Sequence, residues 1–430
     1  MPAVANDTEL TARTRSLDAP SEVQARRSSH AIGPGREAEL ALCCAALAVT
    51  GHRAARAREL LGGGAIDWLA LAAFASRHAI LPLVYKSLSQ TLDGVAAAEA
   101  IQPMRRQFQA NALRNASLAR ELVRVNALMA TAGIRALAFK GPALAVHAYG
   151  SSNLRQFIDL DLLVREDQAA EAVRLLTADG YVAPAGYGVG EIGRSGVFET
   201  SLAKPGSFAA IDLHWRLAEP YFPLALGGDE LWQRAITVEL EGGGVRTLAP
   251  DDHLLYLCAH GARHGWETLS GVCDVAQLMR AAPVDWQPLR ERAARVGARR
   301  MLLLGVVLVH DLLEAEVPEE ALVEARSEPA VIRAARTFIA HAADPDARGP
   351  RLYQRWSIPL RMIEQPRARI RYLAARALTP GADDRELARL PRALAPLYYL
   401  LRPLRIALKG SSAAMRGLWR ADSVTQRRAR

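Results

Sequence analysis

Three textures follow one another along the chain. From Arg36 to about residue 130, apolar residues recur at three- to five-residue steps, the period of a helix that packs by one face. EAELALCCAALA and DWLALAAFASRH read this way, as does a long run from about Pro103 to Thr131. In that run Leu113, Leu118, Leu122, Val125 and Leu128 form the stripe and arginines fill the other face. At Thr131 the texture changes: a glycine able to end the helix precedes IRALAF, an apolar stretch of strand length. IDLDLLV, VFETSLA and AAIDLHWRL alternate as strands do, and EDQAAEAVRLLTADGY predicts an amphipathic helix closed by Gly180. From Pro250 the helical period returns; DDHLLYLCAHGARHGWETLSGVCDVAQLM opens on acidic residues suited to a helix N-terminus.

The order strand, helix, strand, helix, then strands predicts an α+β fold, with a small mixed sheet of α/β type and helices packed on it. The expected organisation is a disordered leader over 1–35 and a helical region over 36–130. A sheet-bearing catalytic domain over 131–249, a helical domain over 250–345 and a basic, mainly helical region over 346–430 complete it. Composition supports helix over sheet, since Ala, Leu and Arg are abundant and aromatics make up 6%. Cys43, Cys44, Cys258 and Cys273 form no CxxC pair and no zinc-like spacing, which predicts reduced, buried thiols in a cytoplasmic protein. The polar N-terminus has no secretion signal, and the longest apolar stretch, Met301 to Val309, is too short to span a bilayer.

Charge is unevenly placed. The chain carries a net +9, yet residues 351–430 alone hold 18 Lys+Arg against 5 Asp+Glu. The basicity therefore lies outside the sheet region. Arginines interleaved with Tyr353, Trp356, Tyr372, Tyr398, Tyr399 and Trp419 suit either a solvated basic face or weak contact with nucleic acid or an anionic membrane.

The candidate chemistry is concentrated in Ile158 to Val164. On a strand Asp159 and Asp161 point to one side, roughly 6–7 Å apart, while Leu160 and Leu162 point into the core. Two such carboxylates can share divalent cations, Mg²⁺ or Mn²⁺, which offset their repulsion. A solvated edge strand is the alternative. Upstream, Lys140-Gly141-Pro142 lies between a strand and a helix, where free backbone N–H groups and a lysine can meet phosphates. Downstream, Ile211-Asp212-Leu213-His214-Trp215 presents a third carboxylate, Asp212, which can bind a metal or take a proton.

These residues resemble the nucleotidyltransferase superfamily, and within it a group of largely uncharacterised bacterial members. The pattern is a KG before a short helix, a YG-type turn, an Arg, D-h-D-h-h-V and later h-D-h-H-W-R, where h is apolar. Here it reads Phe139 to Leu144, Tyr149-Gly150, Arg155, Asp159 to Val164, and Ile211 to Arg216. Asp67-Trp68, Arg77 to Leu83, His260 to Trp266 and Cys273-Asp274 extend the likeness to about residues 65–280. The resemblance implies a catalytic domain flanked by helical domains that transfers a nucleoside monophosphate from an NTP to an unidentified acceptor and releases pyrophosphate. Asp159, Asp161 and Asp212 would hold the metal, and Lys140, Gly141 and Arg155 would bind the nucleotide. One departure stands out: Lys140-Gly141-Pro142 replaces the superfamily's usual Gly-Ser turn, and the gap from Gly141 to Asp159 is longer.

Other positions have two readings each. Arg155 can reach a phosphate or pair with a carboxylate. His214 can line the pocket or serve as a hydrogen-bonded structural residue. His260 and His264, at i and i+4, can line the pocket; as zinc ligands they lack the glutamate of HExxH. Asp274 reads as a cap or an ion-pair partner. Two alternatives to an enzyme follow: an inactive nucleotide- or partner-binding protein of the same fold, and a basic adaptor docking through residues 351–430.

Overall fold

The computed structural model describes residues 35–47, 51–91, 99–183, 197–283, 285–342, 352–379, 397–399, 401–402 and 405. The leader over 1–34 and most of the chain beyond 379 lie outside these, Trp419 among them.

Four helices open the described chain: α1 (Arg36–Cys44), α2 (Gly51–Gly62), α3 (Trp68–Arg77) and α4 (Leu81–Lys86). Asp67 caps α3, its carboxylate accepting from the backbone N–H groups of Leu69 and Ala70. The long helix α5 (Gln102–Thr131) leads into β1 (Ala136–Ala138), α6 (Gly141–Tyr149), β2 (Asp159–Val164) and α7 (Ala169–Ala178). Next come β3 (Glu199–Ala203), β4 (Ala210–His214), α8 (Gly228–Arg234), and a hairpin of β5 (Ile236–Leu240) and β6 (Gly243–Thr247). The rest is helical: α9 (Pro250–His264), α10 (Leu269–Ala281), α11 (Trp286–Arg295), α12 (Arg299–Leu313), α13 (Glu319–Ser327), α14 (Pro329–Ala342), α15 (Leu352–Met362) and α16 (Pro366–Leu378). The fold is α+β. Among the described residues no helix is long and apolar enough to cross a membrane.

The four-stranded sheet runs β1-β2-β4-β3, with β2 and β4 parallel and both outer pairs antiparallel. Period-2 alternation gives it two different faces. Leu160, Leu162, Val164, Ile211 and Leu213 share a buried cluster with Leu118, Leu122 and Val125 of α5, Val173 and Leu176 of α7, and Val245 of β6. The opposite face contributes Leu137, Phe139 and Leu163 to a second cluster, which the helices before and after the sheet also build, from Ala38 to Tyr372. Burying each of these Leu side chains contributes about 2 kcal/mol, so the apolar half of the alternation holds the strands in register.

The apolar stripe expected on α5 needed correction. Leu113, placed in the α5 stripe, faces solvent, while Asn111 and Asn115 take the buried positions. Asn115 Nδ2 donates to the carbonyls of Ser152 (2.6 Å) and Arg155 (2.8 Å), and Asn111 Nδ2 to that of Arg155 (3.2 Å). Burial here is driven by hydrogen bonding to an otherwise unpaired loop, which hydrophobic periodicity does not register. The helical stretch after Pro250 is two helices, broken where Gly265 and Trp266 take positive φ of 70° and 54°. Trp266 folds back onto α9, and a Cβ on Gly261 would stand 2.5 Å from its indole, which accounts for glycine between His260 and Ala262. In the C-terminal region Tyr372 is buried beside Tyr221 and Phe222, with its ring unavailable for stacking on a base. The four cysteines are buried and unpaired, and burial pushes the Cys44 and Cys273 thiols up to about 12.

Candidate active site

The sheet register brings the acidic residues together. Asp161 on β2 is directly opposite Asp212 on β4, and register partners in a pleated sheet project from the same face. His214, two residues beyond Asp212, is on that face too. β3 adds Ser201 opposite Asp212 and Glu199 opposite His214. Ser201 Oγ donates to Asp212 Oδ1 at 2.6 Å. The His214 ring lies between Glu199 Oε2, 3.0 Å from Nδ1, and Asp161 Oδ1, 3.6 Å from Nε2. Its side chain is 6% exposed, and neither nitrogen has an aligned hydrogen-bond partner among the described residues. Phe139 meets this ring edge-on at 5.0 Å and fixes its plane.

Lys140 enters from the end of β1. His253 on α9 contacts the Phe139 carbonyl through Nε2 at 2.7 Å and is held neutral by burial, its pKa lowered to about 3. With the strand end anchored, Lys140 Nζ donates to Asp161 Oδ1 at 2.9 Å. Gly141 has φ of +53°, and a Cβ there would stand 3.1 Å from the carbonyl oxygen of Asp159, so the tight passage from β1 into α6 requires glycine.

Four carboxylates, those of Asp159, Asp161, Asp212 and Glu199, thus converge near one lysine and one imidazole, while two guanidiniums that also act on them, Arg155 and Arg263, are paired with Asp274 and Glu219. Burial, together with the charges of Asp161 and Asp212, pushes the Asp159 carboxyl up to about 6. Burial also raises Asp212, against the opposing hydrogen bond from Ser201. Asp161 goes the other way: burial would raise it, but Lys140 and His214 hold it well below the usual range. The pattern is that of an acidic cluster short of positive charge.

A divalent cation fits this deficit. Donor atoms of Asp161, Asp212 and His214 lie within 4.8 Å of one another, the one group of three or more acidic, histidine or cysteine ligands this close among the described residues. At metal–ligand distances of about 2.1 Å, opposed ligands stand about 4.2 Å apart, so the group need close by only about half an ångström. Asp159, the expected partner of Asp161 in metal binding, is not in this tight group, and His214 is.

The other expected residues lie further out. Arg155 is turned to Asp274 in the interior of α10: Nε and Nη2 contact the two carboxylate oxygens at 3.0 Å, and Tyr149 OH adds a 2.7 Å hydrogen bond. Of its two readings the structure favours the carboxylate partner, and Asp274 is that partner rather than a cap. His260 contacts Tyr256 OH (3.4 Å) and meets the tilted ring of His264 at 4.5 Å between centroids. Burial, together with Lys140 and its other cationic neighbours, keeps His260 neutral. Tyr256 in turn meets Phe139 edge-on at 5.0 Å and lies under Lys140, which places this helix face beside the cluster. No carboxylate or thiol completes a zinc site at His260 and His264 among the described residues. Sequence reasoning missed Glu199 and Ser201. Their signal was the i, i+2 pair in VFETSLA, which matches the i, i+2 pair Asp212 and His214 on the adjoining strand. A cavity of about 910 Å³ opens past the carboxyl ends of β2 and β4, lined by Leu163, Arg165, Trp215, Arg216, Phe222 and Trp232.

A mixed sheet carrying paired carboxylates on adjacent parallel strands defines the class of protein, and sequence comparison gives the family. The profile described as "Uncharacterised nucleotidyltransferase" matches residues 64–314, more than half of the chain, which therefore belongs to that family. No curated protein matches the sequence. A solved structure of an antigenic nucleotidyltransferase-like protein from Paracoccidioides brasiliensis is similar over 48% of this chain and 96% of its own, at 14% identity and a TM-score of 0.30.

Proposed function

We propose that this protein is a divalent-metal-dependent nucleotidyltransferase, moving a nucleoside monophosphate from an NTP to an acceptor hydroxyl. The observation that carries this reading is the register of β2 and β4, which sets Asp161 beside Asp212 with His214 within 4.8 Å. In the reaction the acceptor oxygen bonds to the α-phosphorus, the bond from that phosphorus to the β-phosphate bridging oxygen breaks, and pyrophosphate leaves. Asp161, Asp212 and His214 would hold the cation, with Asp159 at the edge of the group. A divalent ion bound there supplies positive charge that stabilises the attacking and leaving oxygens.

The remaining work falls to the chain itself. The hydroxyl proton goes to a carboxylate, and Asp159, which shares the face of Asp161 but is outside the tight group of metal donors, is the one left to accept it. Lys140 balances part of the charge on Asp161 and lies where a triphosphate would approach α6. Tyr256 lies under Lys140 with His260 beside it, on the helix face next to the cluster.

The test is incubation of the full chain with a divalent ion and each α-labelled NTP against a panel of hydroxyl acceptors, reading label transfer and pyrophosphate release. Transfer by the natural chain and none by Asp161→Asn is expected. A second reading, a nucleotide-binding protein without turnover, draws on Lys140 already occupying Asp161 Oδ1. NTP binding with no pyrophosphate release from any acceptor would favour it.

A further inference from the structure

We infer that His214 is a direct ligand of the cation held at the Asp161–Asp212 pair, with Glu199 as its positioning residue, so that the site prefers ions accepting an imidazole nitrogen, Mn²⁺ and Zn²⁺, over Mg²⁺. This rests on the metal-binding reading of the cluster and extends it to how His214 is positioned and to ion choice.

Three observations support the assignment. His214 is nearly enclosed, and its Nε2 faces the carboxylates without an aligned hydrogen-bond partner among the described residues, a costly state for a buried polar atom unless a ligand meets it. Its other nitrogen is 3.0 Å from Glu199 Oε2. A carboxylate beside Nδ1 stands where the positioning partner of a metal-binding histidine does, and alignment of the Nδ1 proton with it on loading would leave the Nε2 lone pair for the ion. Finally, the ring cannot turn away freely, because Phe139 meets it edge-on and Phe198 lies 6.2 Å off its other side.

Ion choice follows from donor chemistry. Mg²⁺ is hard, favours oxygen ligands in near-octahedral array and gives up water reluctantly. An imidazole beside two carboxylates suits Zn²⁺ well and Mn²⁺ acceptably, and both stand apart from Mg²⁺ in their tolerance of nitrogen. Lys140 on Asp161 Oδ1 does not close the site, since the four carboxylates outnumber the positive charges not already paired elsewhere, Arg155 being held by Asp274 and Arg263 by Glu219.

The test uses the full chain loaded with Mn²⁺ alone. Pulsed electron paramagnetic resonance should show a directly coordinated ¹⁴N, lost in His214→Gln and retained in His260→Gln; the latter identifies the nitrogen even if His214→Gln does not fold. Calorimetry should show Mn²⁺ and Zn²⁺ binding more tightly than Mg²⁺. Glu199→Gln should weaken Mn²⁺ on the order of tenfold while keeping the nitrogen signal, an effect that a merely structural glutamate would not produce. Mn²⁺ binding that is lost in Asp161→Asn but shows no nitrogen coupling overturns the His214 assignment and leaves the metal site standing. Failure of the natural chain to bind Mn²⁺, Zn²⁺ or Mg²⁺ overturns both.

Discussion

Two buried charge clusters lie at the two ends of α6, one at Lys140 and one at Tyr149, and they are built in opposite ways. Around Arg155, one guanidinium meets one carboxylate, Asp274, through both oxygens, and Tyr149 takes a remaining lone pair. Charge and hydrogen bonds balance, and the unit ties the loop before β2 to α10. Around Asp161 the accounting fails: four carboxylates share Lys140 and His214, two of them are raised by burial, and a histidine nitrogen faces inward without an aligned hydrogen bond. A chain tolerates such a deficit where a ligand makes it good. Saturation thus separates a structural ion pair from a site, where residue type alone does not.

The difference can be broken or sharpened by substitution. Arg155→Ala leaves Asp274 buried without its partner, and denaturant unfolding should show a loss of roughly 3–5 kcal/mol. Asp161→Asn removes the centre of the deficient cluster; label transfer should fall on the order of 10³-fold, equivalent to about 4 kcal/mol of barrier. Far-ultraviolet circular dichroism should stay unchanged in that variant. Asn115→Ala removes the amide donor from the loop carbonyl of Ser152 and leaves that of Arg155 with Asn111 in its place, and the same unfolding assay should register about 1–3 kcal/mol.

The smallest effect has the opposite sign. Asp159 is raised from its ordinary value to about 6, so its ionisation costs stability above that pH. The cost is relieved as pH falls through about 6 toward the unfolded value. Asp159→Asn should therefore stabilise the protein by about 1 kcal/mol at pH 8, once solvent screening is allowed for, with the advantage vanishing near pH 4. Divalent-ion affinity of the natural chain should run the other way, rising as pH climbs through 6 and the competing proton leaves.

Much of this was legible in the chain. IDLDLLV and AIDLHW alternate cleanly because one face of each strand is core, so both strands and the common side of Asp159 and Asp161 could be read directly. Local patterning could not reveal contacts that depend on register or on distant partners. Glu199 reaches His214 only through the β3–β4 pairing, and Asp274 is 119 residues from Arg155. The hairpin over Ile236–Leu240 and Gly243–Thr247 went unread although ITVEL alternates, its glycine-rich second strand carrying few side chains to mark a face. Leu113 was misplaced because two asparagines are buried for their hydrogen bonds. Polar groups buried for a purpose escape hydrophobic patterning, and they include both clusters compared above.

The most direct measurement is thermal unfolding of the full chain with and without Mn²⁺, alongside Asp161→Asn. An ion that binds only the folded state at 100 times its dissociation constant adds about 2.7 kcal/mol. The natural chain should therefore melt several degrees higher with the ion, and Asp161→Asn should show no such rise. Equal rises in both proteins, or none in the natural chain at saturating ion, would contradict a cation site at the acidic cluster.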